Sequence, residues 1–372
     1  MRGVFVMVLF QYMKNIYMIL VSIIIVLIII LFGLRSVIPD ESSRDFSVLL
    51  PIDESMPTNT VTVGGLVGPL DQSYLPSDPM GMTNEEIINF VTINETQLVT
   101  INSTLNTLVT PTLIPGDRSS IGDARQIAFA LSVYARYLNI EGQGQEMMSI
   151  LDSIWKIGDA MFEVQNLNTE TYFAGITFRN IGYLTLDRII EDTSSLEGMD
   201  SLIAGLEIPG YSPNAFVRLA RHEYASIHNR FQKCTDHKTC RDEFVGNEIL
   251  KAPWIVRPIL SQKYYFLKNT TANMFGDTFA TLINQAQSQN VCSLVGILGD
   301  KEDGWFMNKN VLGEFSHEAV AIVFDRIIKQ ECTNWNTIEQ SKRALQFKRA
   351  QLEDAIDETD IDPSEEAVLE EI

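Results

Sequence analysis

Histidine and cysteine are scarce in this chain, with four of each among 372 residues. Three of the histidines and two of the cysteines fall in one stretch, RHEYASIHNRFQKCTDHKTC, at 221–240. A helical zinc motif needs two histidines four apart, on one face. His222 and His228 are six apart, which turns them about 120° from each other on a helix. Cys234 and Cys240 enclose five residues, whereas zinc cysteines come as closer pairs. No metal site is expected. Basic charge is also short: 28 Lys and Arg stand against 48 Asp and Glu, for a net charge of -20. Such a surface repels phosphate backbones, and with no basic stripe to offset it nucleic-acid binding is excluded as an expectation. Phosphate-cradling glycine loops and the G-x-S-x-G elbow are missing too, so the sequence implies neither a cofactor nor a recognisable catalytic residue.

Long apolar runs are absent except for one. From Ile16 to Leu34 there is no charged residue, and about 20 such residues match the hydrocarbon thickness of a bilayer. The following RSVIPDESSRDF lacks the small-residue cleavage site of a signal peptide, so residues 16–34 read as an uncleaved transmembrane anchor. Arg2 and Lys14 precede it, which leans towards residues 1–15 being a cytoplasmic stub. Met13-Lys14-Asn15 also reads as an alternative start. The bulk of the chain is then expected outside a bacterial inner membrane, in the periplasm or beyond, with the lipid bilayer as a partner through residues 16–34.

Beyond the span, residues 35–82 carry Pro39, Pro51, Pro57, Pro69, Pro76 and Pro79 and read as an extended linker. Thr83-Asn84-Glu85-Glu86 opens an amphipathic helix over 83–110. Its apolar positions, Ile87, Val91, Asn94, Leu98, Ile101, Leu105 and Leu108, alternate steps of four and three, as in a coiled coil. That seam suits either a homodimer through residues 83–109 or packing on the chain's own core. Residues 117–356 show helical periodicity over about 121–139, 143–163, 170–192, 196–206, 213–232, 244–251, 261–289, 315–330 and 336–356. Short breaks between them imply antiparallel neighbours. The expected class is all-α: a transmembrane helix, then an irregular stack of antiparallel helical hairpins without a strict repeat. Residues 357–372 form an acidic tail, expected to be disordered.

Read together, ARYLNIEGQGQEMMSILDSIWKIGDAMF, FAGITFRNIGYLTLDRII, VRLARHEYASIHNRF, RPILSQKYYFLKNTTANMFGDTFATLI and NKNVLGEFSHEAVAIVFDRII resemble a loosely defined group of uncharacterised bacterial proteins. These carry one amino-terminal span and an extracytoplasmic helical domain. The resemblance covers roughly residues 121–355 and implies fold and location, not an activity.

Four cysteines in an oxidising space are expected to pair. Three connectivities exist; proximity favours Cys234 with Cys240 and Cys292 with Cys332. Glu223 falls on the apolar face marked by Phe216, Ala220, Ile227 and Phe231, and a buried carboxylate needs a partner. Arg179, between Gly175 and Gly182, is the expected one, in a structural ion pair locking two hairpins. Function therefore reads as a non-catalytic, membrane-anchored module that binds a protein or peptide partner in the envelope. The alternative is an envelope hydrolase acting on wall or lipid, with Glu223, or Glu318 beside His317, as the acid or base.

Overall fold

The computed structural model describes residues 21–22, 39–51, 78–107, 118–163, 167–205, 207–251, 266–288, 291–298 and 310–359. The chain is all-α: among the described residues there are nine α-helices and no strand. They are α1 (Asn84–Thr107), α2 (Arg118–Ile140), α3 (Gly144–Phe162), α4 (Thr169–Asp192), α5 (Leu196–Gly205), α6 (Pro213–Lys233), α7 (His237–Lys251), α8 (Lys268–Ser288) and α9 (Val311–Thr359). Among the described residues, no helix is long and apolar enough to cross a membrane. The expected span at 16–34 lies outside the described residues, except for helical Val21 and Ser22. Residues 360–372 of the acidic tail lie outside them as well.

The chain divides into two compact units. The larger comprises Leu50–Glu223, Ala280–Leu298 and Val323–Ile372. Its first helix starts as the sequence predicts. Thr83 and Glu86 cap each other reciprocally, the Thr83 amide donating to Glu86 Oε2 at 2.8 Å and the Glu86 amide to Thr83 Oγ1 at 3.4 Å. The heptad seam of α1 is buried in the unit's own core, with Ile87, Val91, Leu98, Ile101 and Leu105 packed on α2 and α3. Of the two readings of that seam, packing on the chain's own core is the one formed here. Asn94 is buried there and donates to the Phe90 carbonyl.

Helices α3 and α4 form a close hairpin because glycines line the crossing. A Cβ on Gly158 would stand 3.0 Å from the Gly175 carbonyl oxygen, and one on Gly182 would collide with the Trp155 indole. Near the start of the unit, the buried Arg136 guanidinium donates to the carbonyls of Pro79, Met80 and Met82 at 3.0–3.2 Å. The predicted linker is therefore anchored at its far end.

The sequence predicts a break in the last helical region between 330 and 336, yet α9 runs unbroken through it. Residues 331–335 contain neither Pro nor Gly. Inward-facing Glu331 and Asn334 hold hydrogen bonds to α4, and that packing overrides the weak helix propensity of Asn and Thr.

The smaller unit comprises Met1–Leu49, Tyr224–Phe279 and Gly299–Ile322. Its core is aromatic: Phe231 stacks on Phe244 with centroids 4.3 Å apart, and Phe266 and Phe275 join them. Helix α7 starts at His237, earlier than the expected 244. Asp236 supplies the missed start: its Oδ1 accepts from the Thr239 amide at 2.8 Å, and its own amide donates to Thr239 Oγ1.

Residues 39–49, inside the stretch read as an extended linker, are docked along α8. Asp40 accepts from the Asn269 and Thr270 amides at 2.9 Å, capping α8. Buried Asn273 reads the passing backbone, donating to the Ser42 carbonyl and accepting from the Arg44 amide. Arg44 Nη1 reaches both oxygens of Asp277 at 2.9 Å, and the Phe46 ring rests on Gly276, where a Cβ would collide with it. Proline content marks where helix is forbidden; it does not mark where chain is loose.

Candidate functional site

Opposite its buried seam, α1 turns a second face outwards. Ile88, Thr92, Ile93, Thr96, Val99, Thr100 and Ser103 are all exposed. Between residues 87 and 116 the sequence holds a single charge, Glu95, in a chain of net charge -20. The hydroxyls on this face turn inwards. Thr92 donates to the Ile88 carbonyl at 2.7 Å and Thr100 to the Thr96 carbonyl at 2.7 Å, while Ser103 donates to the Thr100 carbonyl. With the hydroxyl satisfied on its own helix, the threonine methyl is what meets solvent. The result is a strip of isoleucine, valine and threonine methyls with a single charge on it, the exposed Glu95. It is held in place from behind by Asn102, which accepts from Ser153 at 2.7 Å, and Asn106, which donates to Ser149 at 2.8 Å. Both partners lie on α3, so the back of α1 is fastened to that helix.

The larger unit also contains a buried polar cluster. Tyr172 Oη donates to Glu331 Oε1 at 2.7 Å. Burial pushes the Glu331 carboxyl above its ordinary range, against the Tyr172 hydrogen bond and the Arg179 charge, which pull it down. The same burial, with the nearby Glu331 charge, pushes the Tyr172 hydroxyl well up. Tyr183 Oη donates to the Pro209 carbonyl at 2.7 Å, and burial raises its pKa as well. Glu331 was legible in principle. Phe324, Ile327, Ile328, Glu331, Asn334, Ile338 and Leu345 form one buried seam, but the expected helix break at 331 hid it.

No protein-family model matches this chain, and no curated protein or solved structure is significantly similar to it.

The expected ion pair of Glu223 with Arg179 is not formed. Arg179 is buried, and its Nε and Nη2 both meet Asp159 Oδ1 at 2.6 Å. Its Nη1 donates to the Gly210 carbonyl at 2.8 Å, and its guanidinium lies 4.7 Å from the Phe162 ring centroid. The correction follows from the hairpin: Gly158 lets α3 come so close to Arg179 that the neighbouring Asp159 is the first carboxylate within reach. Glu223 is half-buried and accepts from the Thr169 amide at 3.1 Å and the Thr169 hydroxyl at 2.8 Å. It caps the start of α4 together with Asn168, which accepts from the Thr171 amide. Glu318 is exposed, and His317 Nε2 lies 2.6 Å from Thr278 Oγ1 with its ring against Phe275.

Both favoured cysteine pairs stand at disulfide-bonding distance. Cys292 and Cys332 Sγ atoms are 2.06 Å apart, and Cys234 bonds Cys240. Among the described residues, no group of three His, Cys, Asp or Glu side chains is placed to hold a metal ion. The His237 side chain lies outside the described residues.

Proposed function

We propose that the chain is a membrane-anchored helical module whose larger unit binds a protein or peptide partner in the bacterial envelope through the outward face of α1. The observation that carries this reading is the methyl strip of Ile88, Thr92, Thr96 and Val99, which carries one charge, Glu95, in a strongly acidic chain and is fastened to α3. Charge depletion at the centre of a surface patch is the compositional mark of an interface core. The carboxylates weighed for acid or base chemistry give the rival no support, since Glu223 caps a helix and Glu318 stands exposed on α9. Residues 16–34 serve as the anchor, in keeping with the bacterial group that the helical segments resemble.

Photo-crosslinking in intact cells tests it. A photoreactive residue at position 96 or 99 of the full chain is expected to capture one recurring partner, and Val99→Glu to abolish the capture with the melting temperature unchanged. Capture at exposed Leu184 but not at 96 or 99 would overturn the assignment of the face. A phosphatase fused after Leu352 is expected to be active, which reports an extracytoplasmic domain.

A further inference from the structure

In the smaller unit, residues 40–46 lie along α8 through bonds to their backbone. Both polar ends of the Asn273 side chain are spent there: Nδ2 donates to the Ser42 carbonyl at 2.9 Å, and Oδ1 accepts from the Arg44 amide at 3.0 Å. Asn269, one turn earlier, donates to the Glu41 carbonyl at 2.9 Å. Main-chain bonds of this kind hold an extended chain whatever its side chains. Three side chains add a sequence to the fit. Asp40 accepts from the Asn269 and Thr270 amides. Arg44 reaches Asp277. The Phe46 ring occupies the space that a Cβ on Gly276 would take, edge-on to Tyr224 with centroids 6.4 Å apart. From Asp40 to Arg44 the segment covers the helix from Asn269 to Asp277, about 12 Å of rise, so it runs extended. This face of α8 therefore reads Asp-x-x-x-Arg-x-Phe.

Little apolar surface holds the segment. Residues 41–45, 47 and 48 are exposed, and within 39–49 only Leu49 is buried. The covalent connection is remote as well. After Leu49 the chain passes into the larger unit and comes back at Tyr224, so the segment meets α8 partners 228–233 positions away. What it covers, in contrast, is costly to bare. Asn273 is 1% exposed, and departure of the segment would strand its amide unless another backbone replaced the bonds. A weakly held occupant over a site that needs one is the arrangement of an exchangeable ligand.

We propose that this face of α8 is a binding site for an extended peptide of that pattern, and that a second copy of the chain supplies it, the two copies exchanging residues 40–46. Each copy carries one such site and one segment that fits it, so a reciprocal exchange is two-fold and closes at two copies. Every contact made within one chain is made again between two, so exchange forfeits none of them. The proposal uses neither the reading of residues 16–34 as a span nor the outward face of α1.

The test mixes two full-length chains in detergent under different affinity tags, one carrying Arg44→Asp and the other Asp277→Arg. Within either variant the segment and the helix set like charges against each other. Between the two, both exchanged pairs are opposite in charge. Capture across tags is expected at least about fivefold above that of each variant mixed with its own differently tagged form. A fluorescent peptide of residues 39–49 supplies the second measurement. It is expected to bind the Asp40→Ala/Phe46→Ala chain at least about tenfold tighter than the parent, whose own segment competes for the site. Adding Gly276→Ala to that chain is expected to abolish binding with helix content unchanged, because the new Cβ fills the place of the Phe46 ring. A capture ratio near one overturns the proposal even where the peptide binds. So does a peptide that fails to bind, or that binds the Gly276→Ala chain equally well.

Discussion

Tyr172 and Glu331 meet 2.7 Å apart in the interior of the larger unit, phenol donating to carboxylate, and so fasten α4 to α9. Glu331 is 5% exposed, and burial lifts its pKa above the ordinary value. The unfolded chain holds the ordinary value, about 4.3. Between the two values the folded state carries a proton that the unfolded state has lost. Stability therefore falls as pH rises through that window, and below about 4.3 the penalty is absent. Glu331→Gln keeps an oxygen for the Tyr172 hydroxyl and has nothing to ionise. It is expected to remove this part of the pH slope and to leave the melting temperature at pH 7.5 equal or higher. Glu331→Ala strands the hydroxyl and is expected to cost about 1–3 kcal/mol. Calorimetry from pH 4 to 8 compares the three proteins. An unchanged slope in the Gln variant removes Glu331 from the account.

Arg179 and Asp159 form the second lock, and Glu223 stands outside it. The Arg179 side chain is 10% exposed and the Asp159 side chain 45%, so their coupling should resemble a partly screened pair. A double-mutant cycle of Arg179→Met and Asp159→Asn is expected to give about 0.5–1.5 kcal/mol. The same cycle with Glu223→Gln should give about zero. Glu223→Gln alone still accepts from Thr169 and should leave the melting temperature unchanged, whereas Glu223→Ala loses a helix cap worth about 1 kcal/mol. Coupling of Arg179 with Glu223 larger than with Asp159 would contradict the structure.

Periodicity made most helices legible. The boundaries expected at 143–163, 170–192 and 213–232 fall within one residue of those observed. The α1 seam was also legible, because period and apolar identity agree there. Partners were not. Spacing along the chain put Arg179 on an inward face, but which carboxylate reaches it depends on how closely α3 approaches α4, and Gly158 settles that. Residues 39–49 failed for a related reason. Their order comes from side chains 228 or more positions away, such as Asn269, Asn273 and Thr270, and local composition carries no trace of them. The outer face of α1, with its single charge, could have been found by asking where an acidic chain is nearly bare of charge.

The bridge between Cys292 and Cys332, both in the larger unit, closes a loop with a sequence separation of 40, and that between Cys234 and Cys240 closes one of only six. In the chain-entropy model the long loop stabilises by about 4 kcal/mol and the short one by about 2–2.5 kcal/mol. Replacing Cys292 and Cys332 together by Ser should therefore lower the melting temperature more than replacing Cys234 and Cys240. Thermal unfolding of the two double variants, with and without reductant, reads the difference. Reductant should shift the parent towards the variants. Equal melting temperatures for parent and Cys292/Cys332 variant under oxidising conditions would show that the long bridge does not form.

Asp40 is a helix cap delivered from outside its helix. Its carboxylate takes the Asn269 amide, the Thr270 amide and the Thr270 hydroxyl, each at 2.9 Å, and its charge faces the positive end of the α8 dipole. A capping residue removed to Ala costs about 0.5–2 kcal/mol, and here the same change also releases the segment that carries it. Asp40→Ala is therefore expected to speed hydrogen exchange at the amides of residues 269–273 by about tenfold, the equivalent of roughly 1.4 kcal/mol. It should also open the chain between residues 35 and 51 to proteolysis. Asp40→Asn keeps one acceptor and loses the charge, so it should fall between Ala and the parent. Exchange in α1 to α4 should not change in either variant, which separates a local release from general loosening. If residues 269–273 exchange at the parental rate in Asp40→Ala, the segment is held by Asn273, Arg44 and Phe46 without it, and the cap contributes nothing to its docking.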